Sequence, residues 1–380
     1  MPDRLEQALE LLTETYGSSR IDEVAERVAA LPVEVPSWGF GRGGTRFATY
    51  ESPDVPGTVE ERIAAAGKFR ELTGKGRTVA LHFPWDGSSD EEIDRLAGWL
   101  DDAGVRAGSI NANLFTPRGV LDERLRFGSL TNPVKAVGDA SIEHNLDCIE
   151  IMRKLGSDTL VLWLPDGTNS PGQMSLYDQA DRLEASARAI YDALDDGHTL
   201  LVEYKYFEPG MYATAIPDYA RSRSLCRTLG PKAKVLVDLG HHTPTTNVEQ
   251  IVALLLRSGD LGGFHFNDSQ YADDDLATGS LHPGQLFRIV CNLVEGERRG
   301  CTPVHDLALM IDQSHNVKDP LAEMIESVEN IEAAYAKALL VDWDALKTAQ
   351  DECDPSRADA LLRDAFLTDV RPIVAAARTT

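Results

Sequence analysis

Four successive apolar runs in the second half of the chain each end in a carboxylate or an imidazole. This repetition limits the possible folds more than any other feature. The runs are Thr199-Leu-Leu-Val-Glu203-Tyr-Lys205, Val235-Leu-Val-Asp238-Leu-Gly-His241-His242, Leu261-Gly-Gly-Phe-His265-Phe-Asn-Asp268 and Leu307-Ala-Leu-Met-Ile-Asp312-Gln-Ser-His315. A short continuous apolar run reads as a strand covered on both faces, as in a parallel sheet. Polar residues then belong where its carboxyl end leaves the sheet.

Upstream the same alternation holds. Strand candidates fall at Leu31–Phe40, weakened by its prolines, then at Thr78–Asp86, Arg106–Phe115 and Thr159–Gly167. Helical spacing separates them at Thr58–Leu72, Ser89–Gly104, Ser141–Leu155 and Leu176–Asp195, and later at Asp218–Leu229, Val248–Ser258 and Leu286–Glu295. Ser89-Asp-Glu-Glu92 has the spacing of a capping box. Eight strand–helix units predict an α/β fold, a TIM (β/α)8 barrel, for which 380 residues leave room beyond the usual core of about 250. An open doubly wound sheet is the competitor. It would show a Gly-rich turn opening a helix after its first strand, and Gly39-Phe-Gly41-Arg-Gly43-Gly44 opens none. Two helices, marked by Leu5, Leu9, Leu12 and by Ile21, Val24, Val28, precede the barrel. After Asp319 the pattern is purely helical, at Leu321–Ala336, Trp343–Gln350 and Ala358–Ala377. The expected division is a barrel with its N-terminal helices over 1–317 and a helical C-terminal extension over 318–380 that packs on a neighbouring subunit.

In a barrel the carboxyl ends of neighbouring strands meet at one mouth, which is where such enzymes keep their active sites. Glu203, Asp238, His265 and Asp312 therefore converge, and three carboxylates with one imidazole suit Mn²⁺, Co²⁺ or Mg²⁺ better than a structural Zn²⁺ site. His241, Asp273 and Asp275 lie beside them, and with Asp238 as a bridge they can hold a second ion. Each residue alone also reads as a loop residue or helix cap, and Asp273-Asp-Asp275 as a solvated acidic loop. Four strand ends in register favour the metal, because buried carboxylates crowd together only around a cation. Lys205 shares a face with Glu203 two residues earlier, and serves either an ion pair or a substrate oxygen. Aromatic residues Trp38, Phe83, Trp85, Phe115 and Trp163 collect at the same ends, as core packing or as a wall that excludes water. His82, at the end of the second strand, is placed to move a proton near neutral pH.

The formal net charge of −24 opposes nucleic acid and anionic membranes as partners and draws divalent cations. Five cysteines at scattered spacings argue for a reducing, cytoplasmic setting, and the polar start Met1-Pro-Asp-Arg-Leu-Glu does not read as a leader.

These motifs together resemble the xylose isomerase-like superfamily, and more closely the bacterial L-rhamnose isomerases of broad aldose specificity. The resemblance implies a structural metal on Glu203, Asp238, His265 and Asp312. It implies a catalytic metal on Asp238, His241, Asp273 and Asp275, with His241 also near the substrate. It further implies Lys205 at the sugar O1, His82 in ring opening, and Trp163 and Phe115 as pocket walls. Trp38 and Phe47 would lie near the far end of the sugar, Phe47 on a loop from a neighbouring subunit of a tetramer. Hydrogen would move between C2 and C1 as a hydride or through a carboxylate base such as Asp312. A one-metal ketose 3-epimerase on the same fold is the alternative. A metal-dependent apurinic endonuclease and a sugar-binding protein with a dead site are further readings, opposed by the acidic balance and by the intact acid set beside Lys205 and His82.

Overall fold

The computed structural model describes residues 2–41, 55–119, 122–207, 213–271, 273–314 and 318–378. Phe47 and His315 lie outside the described residues.

Eight strands close into a barrel. They are β1 (Val33–Pro36), β2 (Thr78–Phe83), β3 (Arg106–Ala112), β4 (Thr159–Leu162), β5 (Thr199–Glu203), β6 (Ala233–Asp238), β7 (Leu261–Phe266) and β8 (Ala308–Ile311). Every neighbouring pair is parallel, and β1 closes the ring by pairing with both β2 and β8. Strand alternation sorts the side chains into two cores. Val161, Leu201 and Leu236, packed by Ala308, form a small cluster of their own. Their chain neighbours Leu160, Leu162, Leu200, Val202, Val235 and Val237 belong to the large core that also holds buried residues of the surrounding helices. With a period of two, Glu203 follows Leu201 and Asp238 follows Leu236 on the same strand face.

Several helices start where local chemistry supplies a cap. Thr58 and Ser89 each accept from the backbone N–H three residues on, and Glu61 and Glu92 reach back to close the box. Two helical expectations need correction. The helix expected to start at Ser141 begins at Lys135, and the irregular stretch before it contains two short 3₁₀ turns, Pro117–Gly119 and Glu123–Phe127. The helix expected over Ala358–Ala377 is two helices, Pro355–Leu367 and Arg371–Ala377. Pro372 has no N–H to donate in a helix interior and instead sits in the first turn of the second helix. The first strand is also shorter than its candidate, because its chain turns into a 3₁₀ segment at Trp38–Phe40.

Helix Pro320–Leu340 completes the eighth strand–helix unit, and its buried Met324, Val328, Ile331 and Tyr335 enter the large core. The division expected at 318 thus falls between β8 and this helix. The N-terminal helix Ser18–Ala30 is tied to the same body by Lys75. The Lys75 ammonium donates to the Val28 carbonyl, and to the carbonyls of Ala29 and Leu31 at 2.8 and 3.2 Å, at the negative end of that helix. Glu332 stands 3.7 Å from Lys75 and accepts from Arg378 at 2.7 Å. The lysine that holds the N-terminal helix and Arg378 near the C-terminal end therefore meet on one buried carboxylate. Among the described residues no helix is long and apolar enough to cross a membrane.

Candidate active site and metal centre

Strand register brings the acids together. β6 and β7 pair Asp238 with His265, β5 and β6 pair Glu203 with Leu236, and Asp312 follows directly after the Phe266–Ile311 pair of β7 and β8. Glu203, Asp238, His241 and His265 are all buried. His265 Nδ1 lies 3.4 Å from Glu203 Oε1, 3.6 Å from Asp238 Oδ2 and 3.3 Å from Asp312 Oδ2. His241 Nε2 lies 3.1 Å from Asp273 Oδ1 and 3.9 Å from Asp238 Oδ2. Two groups of ligand atoms result, Glu203–Asp238–His241 and Asp238–His265–Asp312, with Asp238 in both.

The donor set fits divalent ions. Asp238 Oδ2 and both ring nitrogens of His265 are buried without a hydrogen-bond partner, and such atoms are costly unless something else meets them. His241 Nδ1 is 3.1 Å from the Tyr204 carbonyl, so the tautomer carrying its proton there leaves Nε2 as a ligand. Asp312 Oδ1 accepts the Trp38 indole N–H at 2.9 Å, which leaves Oδ2 toward His265. The described contacts of Asp275 run instead to Ser314, whose N–H donates to its carbonyl at 3.2 Å and whose hydroxyl stands 3.4 Å from Oδ2. Asp275 also holds a left-handed φ of 49°, an uncommon backbone state for a residue with a side chain.

Electrostatics follow from this crowding. Burial opposes ionisation of Glu203, but the imidazoles of His265 and His241 outweigh it and hold the carboxyl at about 2. Asp238 moves the other way, raised by burial and by the neighbouring carboxylates Glu203 and Asp312 against the pull of the two imidazoles. Burial lowers both imidazoles, yet the carboxylates win and push His241 and His265 well above the usual value. Protons therefore occupy the positions that a cation would take. Binding a divalent ion must release them, so affinity is expected to fall on acidification by about tenfold per pH unit for each proton released. Burial pushes His82, packed between Trp38 and Trp85 at ring distances of 5.6 and 4.2 Å, down to about 4. His82 is thus neutral throughout the neutral range. An acid limb of activity above pH 5 should shift to lower pH as Mn²⁺ is raised; a limb that ignores Mn²⁺ would contradict this assignment.

Lys205 is buried, and its ammonium donates to Asp273 Oδ2 at 2.8 Å while lying 5.4 Å from the Trp163 ring centre. Its backbone is pinned by Ile216, whose carbonyl accepts from Lys205 N–H at 3.0 Å, and by the Thr214 hydroxyl, which donates to the Lys205 carbonyl. A short antiparallel pair, Gly167–Thr168 with Ala213–Thr214, supplies that support and was not foreseen in the sequence. Phe115 and Trp163 pack at 5.1 Å, so the two expected wall residues do meet.

Asp86 escaped the sequence reading although it stands in the same strand-end motif as His82. Its buried carboxylate accepts from the His82 N–H at 2.8 Å, the Ser37 hydroxyl at 2.5 Å and the Arg62 guanidinium at 2.8 Å. It ties the β2 end that bears His82 to the segment that bears Trp38. The Asp four residues after a strand-end His was the available signal. Its partners were not, because two of them come from other elements.

A family model described as xylose isomerase-like TIM barrel matches residues 62–308. A probable sugar isomerase of Rhizobium meliloti (strain 1021) is 43% identical over 94% of this chain and 83% of its own length. A probable sugar isomerase of Mesorhizobium japonicum is 40% identical over 94% of this chain and 82% of its own. Among solved structures, a D-allulose 3-epimerase from Methylomonas sp. aligns with a TM-score of 0.57 at 13% identity, over 80% of this chain and 98% of that one. An L-ribulose 3-epimerase aligns with a TM-score of 0.56 at 16% identity, over 82% and 97%. At such identities the two epimerases speak for the fold alone. The closed parallel barrel, the acids at its carboxyl mouth and the family match agree: this chain belongs to the xylose isomerase-like TIM barrel family.

Proposed function

We propose that the chain is a metal-dependent aldose–ketose isomerase that interconverts L-rhamnose and L-rhamnulose and accepts other aldoses. It works with two divalent ions per subunit, Mn²⁺ ahead of Co²⁺ or Mg²⁺, as a cytoplasmic homotetramer. The observation that carries this reading is the pair of ligand groups sharing the buried Asp238, with the Lys205 ammonium 2.8 Å from Asp273 beside them. The names of the Rhizobium and Mesorhizobium relatives support an isomerase, and five free thiols suit a reducing compartment.

Ions held at these groups supply the paired charge that polarises a carbonyl and the adjacent hydroxyl. The chain's own residues do the remainder. Lys205 holds its ammonium where negative charge grows on O1. His82, neutral and in reach of the sugar ring, carries the proton of ring opening. Phe115 and Trp163 cover the carbon skeleton and keep water out. The buried Trp163 indole N–H, which has no partner among the described residues, can donate to a sugar hydroxyl. Asp312, held by Trp38, stands ready as the base if hydrogen travels as a proton.

A ketose 3-epimerase is the second reading, favoured by the fold shared with the two solved 3-epimerases. It needs one ion and leaves the His241–Asp273 contact without a task. A panel of aldoses and ketoses, assayed after chelation and Mn²⁺ restoration, separates the two. L-Rhamnulose from L-rhamnose is the expected product; conversion of ketoses only into epimeric ketoses would overturn the isomerase reading.

Phe47, proposed to come from a neighbouring subunit, tests sugar preference. Phe47→Ala should raise KM for L-rhamnose more than for L-mannose, since the lost methyl contact is worth about 1–3 kcal/mol for the deoxy sugar alone. Kinetics on the matched pair decide it, and equal changes for both would remove Phe47 from the site.

A further inference from the structure

The two oxygens of Asp238 do not have the same surroundings. Oδ1 accepts the Gly240 N–H at 2.7 Å and the Asn267 side-chain amide at 3.0 Å. Two donors saturate the lone pairs of one carboxylate oxygen. Oδ2 has no hydrogen-bond partner and faces His265 at 3.6 Å and His241 at 3.9 Å. The orientation of the Asn267 amide follows from its acceptor, because only the NH₂ side can face a carboxylate.

Gly240 and Asn267 are fitted to each other. A Cβ on residue 240 would lie 3.0 Å from Asn267 Oδ1 and 3.4 Å from both Cγ and Nδ2. The bare glycine lets the amide lie against the turn between Asp238 and His241. Asn267 Oδ1 is itself buried without a partner, so the hydrogen bond to Asp238 is what orients the amide. Asp312 repeats the arrangement, with Oδ1 held by Trp38 and Oδ2 aimed at His265.

We propose that Asn267, packed against Gly240, is a positioning residue that makes Asp238 a one-oxygen ligand common to both metal groups, an inference that rests on the metal reading above. Without the amide Oδ1 keeps only the Gly240 N–H, a single contact about which the carboxylate can tilt. Oδ2 then no longer points at both groups at once. The Asp238-Leu-Gly240-His241 and His265-Phe-Asn267 motifs thereby acquire a physical reason for their third members, Gly240 and Asn267.

Wild type, N267A, G240A and the double variant N267A/G240A would be stripped with chelator and titrated with Mn²⁺ by calorimetry, with the melting temperature of each apo form measured alongside. N267A is expected to weaken Mn²⁺ binding by about 10- to 100-fold, the usual effect of losing a residue that orients a ligand. G240A should weaken it in the same direction by displacing the amide. The double variant should lose little more than N267A alone, since both act through one hydrogen bond. Affinity of N267A within twofold of wild type, with only the apo melting temperature lowered, would overturn the inference alone. Should N267A fail to fold, G240A carries the same comparison. A wild type that binds no divalent ion would overturn the metal reading and this inference with it.

Discussion

Asp238→Asn is expected to weaken divalent-ion binding at both ligand groups by about 10²–10³-fold, with turnover falling at least as far. Asp238 is the member common to Glu203–Asp238–His241 and Asp238–His265–Asp312, so one substitution removes a negative charge from each. The asparagine can still accept from Gly240 and Asn267 through its carbonyl, which keeps the turn intact. What it then presents to His241 and His265 is a neutral NH₂ that cannot ligate. Metal content after dialysis against Mn²⁺, read beside kcat, checks this. Near-normal activity with full metal content would contradict the bridging role.

Lys205→Met is expected to lower kcat by about 10²–10³-fold while leaving Mn²⁺ affinity unchanged or higher. The sign for the metal follows from Coulomb's law. Removing an ammonium 2.8 Å from Asp273 takes a positive charge away from a cation site and frees an acidic oxygen. A purely structural lysine would behave otherwise, with a lower melting temperature and an intact kcat. Measuring kcat, Mn²⁺ affinity and melting temperature on one preparation distinguishes the roles.

The barrel was legible because strand chemistry is local. Runs such as Thr199–Glu203 and Ala233–Asp238 carry their own pattern, and a parallel register then leaves little freedom in which ends meet. The candidate ligands Glu203, Asp238, His265 and Asp312 were legible for the same reason, each standing at the polar end of an apolar strand. Side-chain partners distant in sequence were not legible. Trp38 holds Asp312 across 274 residues, and Arg62 reaches Asp86 from a helix whose own pattern does not mark that contact. Asn267 looked like a strand-end polar residue, and only Asp238 Oδ1 at 3.0 Å gives it a task. Trp38 reads as core packing or as a wall residue, and its indole N–H holds the Asp312 carboxylate. The helix break near Pro372 could have been foreseen, since proline inside a helical pattern marks a boundary. The early start at Lys135 could not, because Val134 offers no side-chain cap to mark it.

Filling of the two groups against turnover tests the central claim most directly. Chelated protein would be titrated with Mn²⁺, with bound ions counted per chain and L-rhamnose conversion followed at each addition. The account predicts two ions per chain and conversion that appears only as the second is bound. Full conversion with a single ion per chain, or conversion that survives chelation, would contradict it.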